Sequence, residues 1–205
     1  LHRVDRRQRQ MCIRDRDHFA RLSTALTRGK PVVRVGVIHP VESYWLHWGP
    51  SQQTSLAREQ LESNFANLTE WLLFGSVDFD FISESLLPEQ CAEVSVPFPV
   101  GKMAYDTILV PGCETLRSST LDRLEKFRDM GGKLIFLGEA PKYANAVESD
   151  RSRALYERSE HLPFSRSAVL PALEDVRTVE LRGEDGGYTD NLIYQLRKDE
   201  TCLWL

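Results

Sequence analysis

The sequence predicts an α/β fold with a doubly wound, mostly parallel sheet. Its clearest strand covers residues 32–38, where five of the seven residues are β-branched and apolar, as in strands that are buried on both faces. This strand ends at His39-Pro40, because proline removes a backbone donor and restricts the residue before it. Further apolar runs alternate with amphipathic segments long enough to form the helices that connect parallel strands.

The remaining elements follow from periodicity and from the residues that end them. In the helix predicted over 54–74, for example, apolar residues recur every three or four positions and form one stripe. The predicted elements in chain order are a helix over 17–30, a strand over 32–38, an aromatic-rich loop over 41–50, a helix over 54–74, an edge strand over 77–82, a helical turn over 83–88, an irregular segment over 91–103, a strand over 105–110, a helix from 118 to the glycines at 131–132, and a strand over 133–137.

Both ends of the chain differ from this alternating region. Residues 1–16 hold six arginines and two aspartates, and the run MCIRDR resembles translated sequencing-adapter sequence, so we interpret this segment as artefactual; a disordered basic tail is the alternative. Residues 148–175 are predicted to be a helical linker. Residues 176–205 show a strand–turn–strand pattern that stops within an apolar strand, which predicts the truncated start of a β-rich domain.

Charge and composition exclude several classes of partner. The chain has a formal charge of −4, and residues 17–205 alone carry −8, which argues against a nucleic-acid partner. The sequence has no apolar run of membrane-spanning length, and its polar amino terminus leads us to expect no secretory leader. Its four cysteines are scattered and its histidines lack metal-ligand spacing, so we expect free thiols, no metal, no cofactor and a cytoplasmic location.

The loop after the first strand is the main candidate site. It lacks the glycines of a nucleotide-binding turn. It combines aromatic side chains, whose flat faces stack on sugar rings, with polar side chains that can bind sugar hydroxyls. Its candidate residues are His39, Glu42, Tyr44, Trp45, His47 and Trp48. Contact with a ligand and packing against a neighbouring domain both stay open.

Three residues near the ends of later strands are further candidates. Glu114 and Glu139 follow two strands and are expected at the same sheet edge, where they can bind hydroxyls or cap helices. Cys113 comes just after a strand, a position where nucleophiles occur, but its neighbour Glu114 is expected to raise the thiol pKa. A buried structural cysteine is therefore the preferred interpretation.

Residues 17–45, 67–88 and 105–141 together resemble the glutamine-amidotransferase-like, flavodoxin-like domain found inside large bacterial glycoside hydrolases of the α-L-rhamnosidase type. In that family a barrel precedes this module and β-sandwich domains follow it. The resemblance implies that helix 17–30 leaves an upstream barrel, that residues 31–147 form the flavodoxin-like domain, and that 176–205 enter a β-sandwich.

The resemblance also implies what the chain does. True amidotransferases have a G-x-C-x-G elbow and a downstream His-x-Glu, whereas this chain has Gly138-Glu139-Ala140-Pro141 at the elbow and neither motif. We therefore expect no catalytic residue here, but a non-catalytic module that packs on the catalytic barrel and frames a carbohydrate site. The alternative is a freestanding module that binds a small metabolite. A homo-oligomer is compatible with either.

Overall fold

A computed structural model describes residues 6–187, 189 and 191–205. The helices are α1 (Arg6–Leu26), α2 (Val41–Leu46), α3 (Ser51–Phe74), α4 (Leu87–Gln90), α5 (Ser118–Asp129), α6 (Asp150–Arg158) and α7 (Arg166–Ala172), with a 3-10 turn at Glu174–Val176. The strands are β1 (Lys30–Pro31), β2 (Val35–Ile38), β3 (Phe79–Ile82), β4 (Phe98–Val100), β5 (Met103–Tyr105), β6 (Thr107–Pro111), β7 (Thr115–Leu116), β8 (Lys133–Leu137), β9 (Tyr143–Ala144), β10 (Val147–Glu148), β11 (Glu160–Leu162), β12 (Arg197–Lys198) and β13 (Leu203–Trp204).

The described residues form two compact units. Residues 33–193 make up the larger unit, and its main sheet has five strands in the order β11-β8-β6-β2-β3. All neighbouring pairs in this sheet are parallel. The prediction of a parallel α/β sheet is therefore confirmed, and the strand order is compatible with a flavodoxin-like fold. The predicted edge position of β3 is also confirmed, because β3 lies at one end of the order.

The sheet has a hydrophobic core on each face, because side chains along the central strands point alternately to the two faces. One core contains Ile108 and Phe136 together with Leu121, Leu124 and Phe127 of α5. The other contains Leu109 and Ile135, which pack against side chains from α3 and α7. Because side chains of a strand point alternately to opposite faces, each central strand supplies both cores, as the apolar runs in the sequence predict.

Close packing around β2 depends on a glycine. A β-carbon at Gly36 would lie 2.6 Å from Ile82 Cδ1 and 2.9 Å from Tyr105 Cδ2. These distances are shorter than real carbon contacts, so β2 can lie this close to its neighbours only without a side chain at position 36.

Several predicted boundaries differ from the structure. The helix predicted over 17–30 begins earlier, at Arg6, and ends at Leu26. The predicted loop over 41–50 was wrong in part, because Val41–Leu46 form α2. Glu42 stands in the first turn of this helix, where an acidic side chain interacts favourably with the positive end of the helix dipole. The irregular segment over 91–103 contains strand β4, which forms a hairpin with β5.

The region predicted as a helical linker, 148–175, contributes directly to the larger unit. Glu160–Leu162 form the fifth strand, β11, which pairs in parallel with β8. Val169 and Leu170 of α7 are buried in the core. The sequence pattern misses β11 because three residues, two of them polar, are too few to show alternation.

The predicted start of a β-rich C-terminal domain is not confirmed. Among the described residues after 176, the paired strands are the two-residue segments β12 and β13. They form a small antiparallel sheet with β1 in the smaller unit, which contains the described residues up to Val32 and Tyr194–Leu205. No helix in the described part of the chain is long and apolar enough to cross a membrane.

Candidate functional site

The candidate site lies at the carboxyl ends of β2, β6 and β8 in the larger unit. The strand order reverses between β2 and β6, and in open α/β sheets ligands bind in the crevice at that point. Here a side chain of α2 bonds to the backbone that follows β6. The hydroxyl oxygen of Ser43, a buried residue of α2, accepts hydrogen bonds from the backbone N–H groups of Glu114 (2.9 Å) and Thr115 (3.2 Å).

Next to the hydrogen bonds of Ser43, the structure brings two predicted site residues together. His47 Nε2 and Glu114 Oε1 are 2.7 Å apart, although the residues are 67 positions apart in the chain. Helix α2 ends immediately before His47, and Glu114 follows β6. An imidazole paired with a carboxylate can donate to and accept from the hydroxyls of a ligand.

Tyr44, Trp45 and Trp48, which we call the aromatic surface, surround His47 in the sequence. The residues Trp45 and Trp48 are 58% and 72% exposed, unusually high values for such large apolar residues. The rings of Tyr44 and Trp48 are 6.4 Å apart, and the Tyr44 hydroxyl donates to Glu62 Oε1 at 2.9 Å. The surface therefore combines open aromatic faces with fixed polar groups.

A cleft of about 500 Å³, here called the edge cleft, opens at the ends of β6 and β8. Its walls include both predicted carboxylates, Glu114 and Glu139, and also Gln60, Asn64 and Lys142. Gln60 donates to Asn64 at 2.8 Å, which orients the two amides. The volume lies within the range of sites for small molecules. Glu114, which lines the edge cleft, also bonds to His47, which lies between Trp45 and Trp48 in the sequence. This hydrogen bond therefore links the edge cleft to the segment that carries the aromatic surface.

The other predicted residues make different contacts, although Glu139 lines the same cleft as Glu114. The Glu139 side chain is 91% exposed and approaches Lys142 at 3.8 Å. Glu42 is bound by the Arg117 guanidinium. The His39 ring packs edge-on against Phe65 and Phe81, at 5.3 and 5.7 Å between centroids, and burial lowers its pKa. His39 therefore has a packing role.

Beneath the site lies an acidic group that the sequence analysis missed. Glu84 is only 2% exposed and accepts a hydrogen bond from the backbone N–H of Arg117 at 2.8 Å. Burial raises the pKa of this carboxyl to about 7, and the nearby charge of Glu42 adds to the rise. Its position just after a strand was visible in the sequence, but its burial depends on contacts 33 residues away.

Cys113 is buried, as predicted, but the predicted reason for its raised pKa was wrong. Burial raises the thiol pKa well above its ordinary value, and the charges of Glu84 and Glu42 add to this effect. Glu114 is the sequence neighbour, yet its carboxylate is directed to His47. The thiol lies 3.9 Å from the Pro111 carbonyl. A buried, protonated thiol is not a nucleophile.

Among the described residues, no group of three or more His, Cys, Asp or Glu side chains is placed to hold a metal ion. A comparison of the chain with protein-family models finds no match, and a comparison with curated proteins finds no significant match. The function must therefore be argued from the site itself.

Proposed function

We propose that this chain is a non-catalytic, carbohydrate-binding α/β module of a glycoside hydrolase, as its resemblance in sequence implies. The observation that carries the proposal is the exposure of Trp45 and Trp48, which flank His47 in the sequence, together with the contact between His47 and Glu114. The apolar faces of sugar rings stack on such indoles, while imidazole and carboxylate bind the ring hydroxyls.

The absence of a reactive group at the bend after β8 supports a binding role. Gly138 adopts a positive φ of 85° there, and it is followed by the exposed carboxylate of Glu139. In the same unit, the thiol of Cys113 is buried and protonated. In the proposed parent enzyme the catalytic carboxylates belong to the barrel on which this module packs, and the aromatic surface frames the sugar site.

Titration of the chain with short oligosaccharides tests the binding part of the proposal, with the heat of binding measured by calorimetry as the readout. Trp48→Ala is expected to weaken binding about tenfold, because aromatic contacts contribute about 0.5–1.5 kcal/mol beyond their buried area. Val147→Ala, an exposed apolar residue on β10, is the control and should leave affinity unchanged. Equal affinities of the native protein and Trp48→Ala would contradict the proposal.

A second candidate function is a freestanding module that binds a small metabolite in the edge cleft. The volume of the edge cleft and its oriented amides, Gln60 and Asn64, favour this alternative. The same titration separates the two functions. Loss of binding in Asn64→Ala with full binding in Trp48→Ala would place the ligand in the edge cleft and favour the alternative.

A further inference from the structure

Beside the aromatic surface lies a cation whose role the proposed function leaves unexplained. The guanidinium of Arg58, in α3, lies over the indole of Trp48, with its central carbon 5.8 Å from the ring centroid. The Nε atom of Arg58 is covered and has no hydrogen-bond partner within the described part of the chain. Aromatic faces attract guanidinium groups, so the indole orients Arg58 without neutralising its charge.

The expected partner of Arg58 is engaged elsewhere. Glu62 lies four positions later on the same helix, where a carboxylate usually pairs with an arginine. Its Oε1 instead accepts the hydrogen bond from the Tyr44 hydroxyl at 2.9 Å. Within the described residues, Arg58 has no carboxylate at salt-bridge distance.

Other half-buried arginines of the same unit are paired. Arg151 binds Glu125 at 2.9 and 2.7 Å, and Arg123 donates to the carbonyl of Cys91 at 2.7 Å. Arg117 binds Glu42. Among the described residues of this unit, the half-buried Arg58 is thus an exception, because its covered Nε has no acceptor. It lies next to Trp48, the more exposed tryptophan of the aromatic surface.

We propose that the aromatic surface binds a sugar ring that carries a carboxylate, that is, a uronic acid, and that Arg58 binds this carboxylate. The inference rests on the proposed function and specifies its ligand. A guanidinium presents parallel N–H groups whose spacing matches the two oxygens of a carboxylate. In the proposed complex the ring stacks on Trp48 while its carboxylate receives hydrogen bonds from Arg58.

The charges around Arg58 favour a carboxylate over a phosphate. Glu62 and Glu114 both border the aromatic surface, and each is already paired with a neighbour, Tyr44 and His47. A sugar phosphate carries almost two negative charges at neutral pH. The carboxylates of Glu62 and Glu114 repel a doubly charged phosphate more strongly than a singly charged uronate, so the uronate is the favoured anion.

The test compares four probes on the whole chain at pH 7 by calorimetry: digalacturonate, neutral galactobiose, acetate and glucose 6-phosphate. We expect digalacturonate to bind about tenfold more tightly than galactobiose, the ratio typical of a charge-assisted hydrogen bond. Arg58→Gln should abolish this preference. Arg58→Lys should retain part of it, because lysine keeps the charge but lacks the parallel N–H groups of a guanidinium. Arg153→Gln, which removes an exposed arginine paired with Glu157, is the matched control.

The outcomes distinguish this inference from the proposed function. Equal binding of galactobiose and digalacturonate overturns the role of Arg58 but leaves carbohydrate binding intact. Tighter binding of glucose 6-phosphate, or of acetate, overturns the assignment of a uronate. A preference that survives in Arg58→Gln overturns the assignment of the residue. Binding of neither sugar overturns both proposals.

Discussion

Replacing Glu84 with glutamine is expected to stabilise the protein at alkaline pH. Glu84 is buried beneath the candidate site, between the Arg117 backbone and the charges of Glu42 and Arg117, next to the protonated thiol of Cys113. Its negative charge is therefore costly in the folded protein and well solvated in the unfolded chain. Glutamine keeps the shape of the side chain and an oxygen for the Arg117 N–H, but it never carries a charge.

The magnitude follows from the pKa of this carboxyl, which burial raises from 4.5 to about 7. Between these values the folded state binds more protons than the unfolded state, so the free energy of unfolding falls as pH rises. The stabilisation is fully present below pH 4.5 and is lost as pH rises through about 7. At about 1.4 kcal/mol for each pKa unit, the loss is about 3 kcal/mol.

Urea denaturation at pH 4.5 and pH 8, followed by circular dichroism, measures the effect. The native protein and Glu84→Gln should have similar free energies of unfolding at pH 4.5. At pH 8 the variant should be more stable by about 1–3 kcal/mol, the lower bound allowing for the loss of a charge-assisted hydrogen bond from Arg117. Glu148→Gln, an exposed carboxylate, controls for the change in net charge. The same difference between native protein and Glu84→Gln at both pH values would refute the reasoning.

Three further predictions concern packing and reactivity. At pH 7.5 iodoacetamide should label the exposed Cys202 much faster than the buried Cys113. Peptide mass spectrometry after timed labelling measures both rates, and rapid labelling of Cys113 would contradict the prediction. Gly36→Ala should lower the free energy of unfolding by about 1–3 kcal/mol because its new methyl group overlaps Ile82, whereas Gly49→Ala, with its nearest contact at 3.5 Å, should have little effect in the same urea titration. Phe127→Ala should lower the melting temperature and cost about 3–5 kcal/mol, because Phe127 is fully buried; an unchanged transition would contradict the assigned core.

The parts of the fold that were predicted from sequence are those specified by local pattern. The strand over 133–137 has the predicted limits, and α5 begins at the predicted Ser118. Both are set by apolar runs with clear boundaries, which do not depend on distant residues. The strand Glu160–Leu162 was missed because it is defined by its pairing with β8 and not by its own composition.

The candidate site shows the same division between local and distant information. The residue types in the segment 39–48 and the position of Glu114 after a strand were sufficient to select both His47 and Glu114. Their mutual contact was not predictable, since it depends on how α2 packs against the loop after β6. Arg58 was overlooked because a charged residue on an amphipathic helix is normally solvated. Its significance arises only once Glu62 is known to bind Tyr44.

The Ser43 hydroxyl has a consequence for how this scaffold could be redesigned. It occupies two adjacent backbone donors, those of Glu114 and Thr115, at the crevice where parallel sheets of this type commonly receive an anionic group. The Ser43 hydroxyl oxygen thus takes the place of an oxygen of a bound anion. Removing that single oxygen, as in Ser43→Ala, would leave both N–H groups without this acceptor.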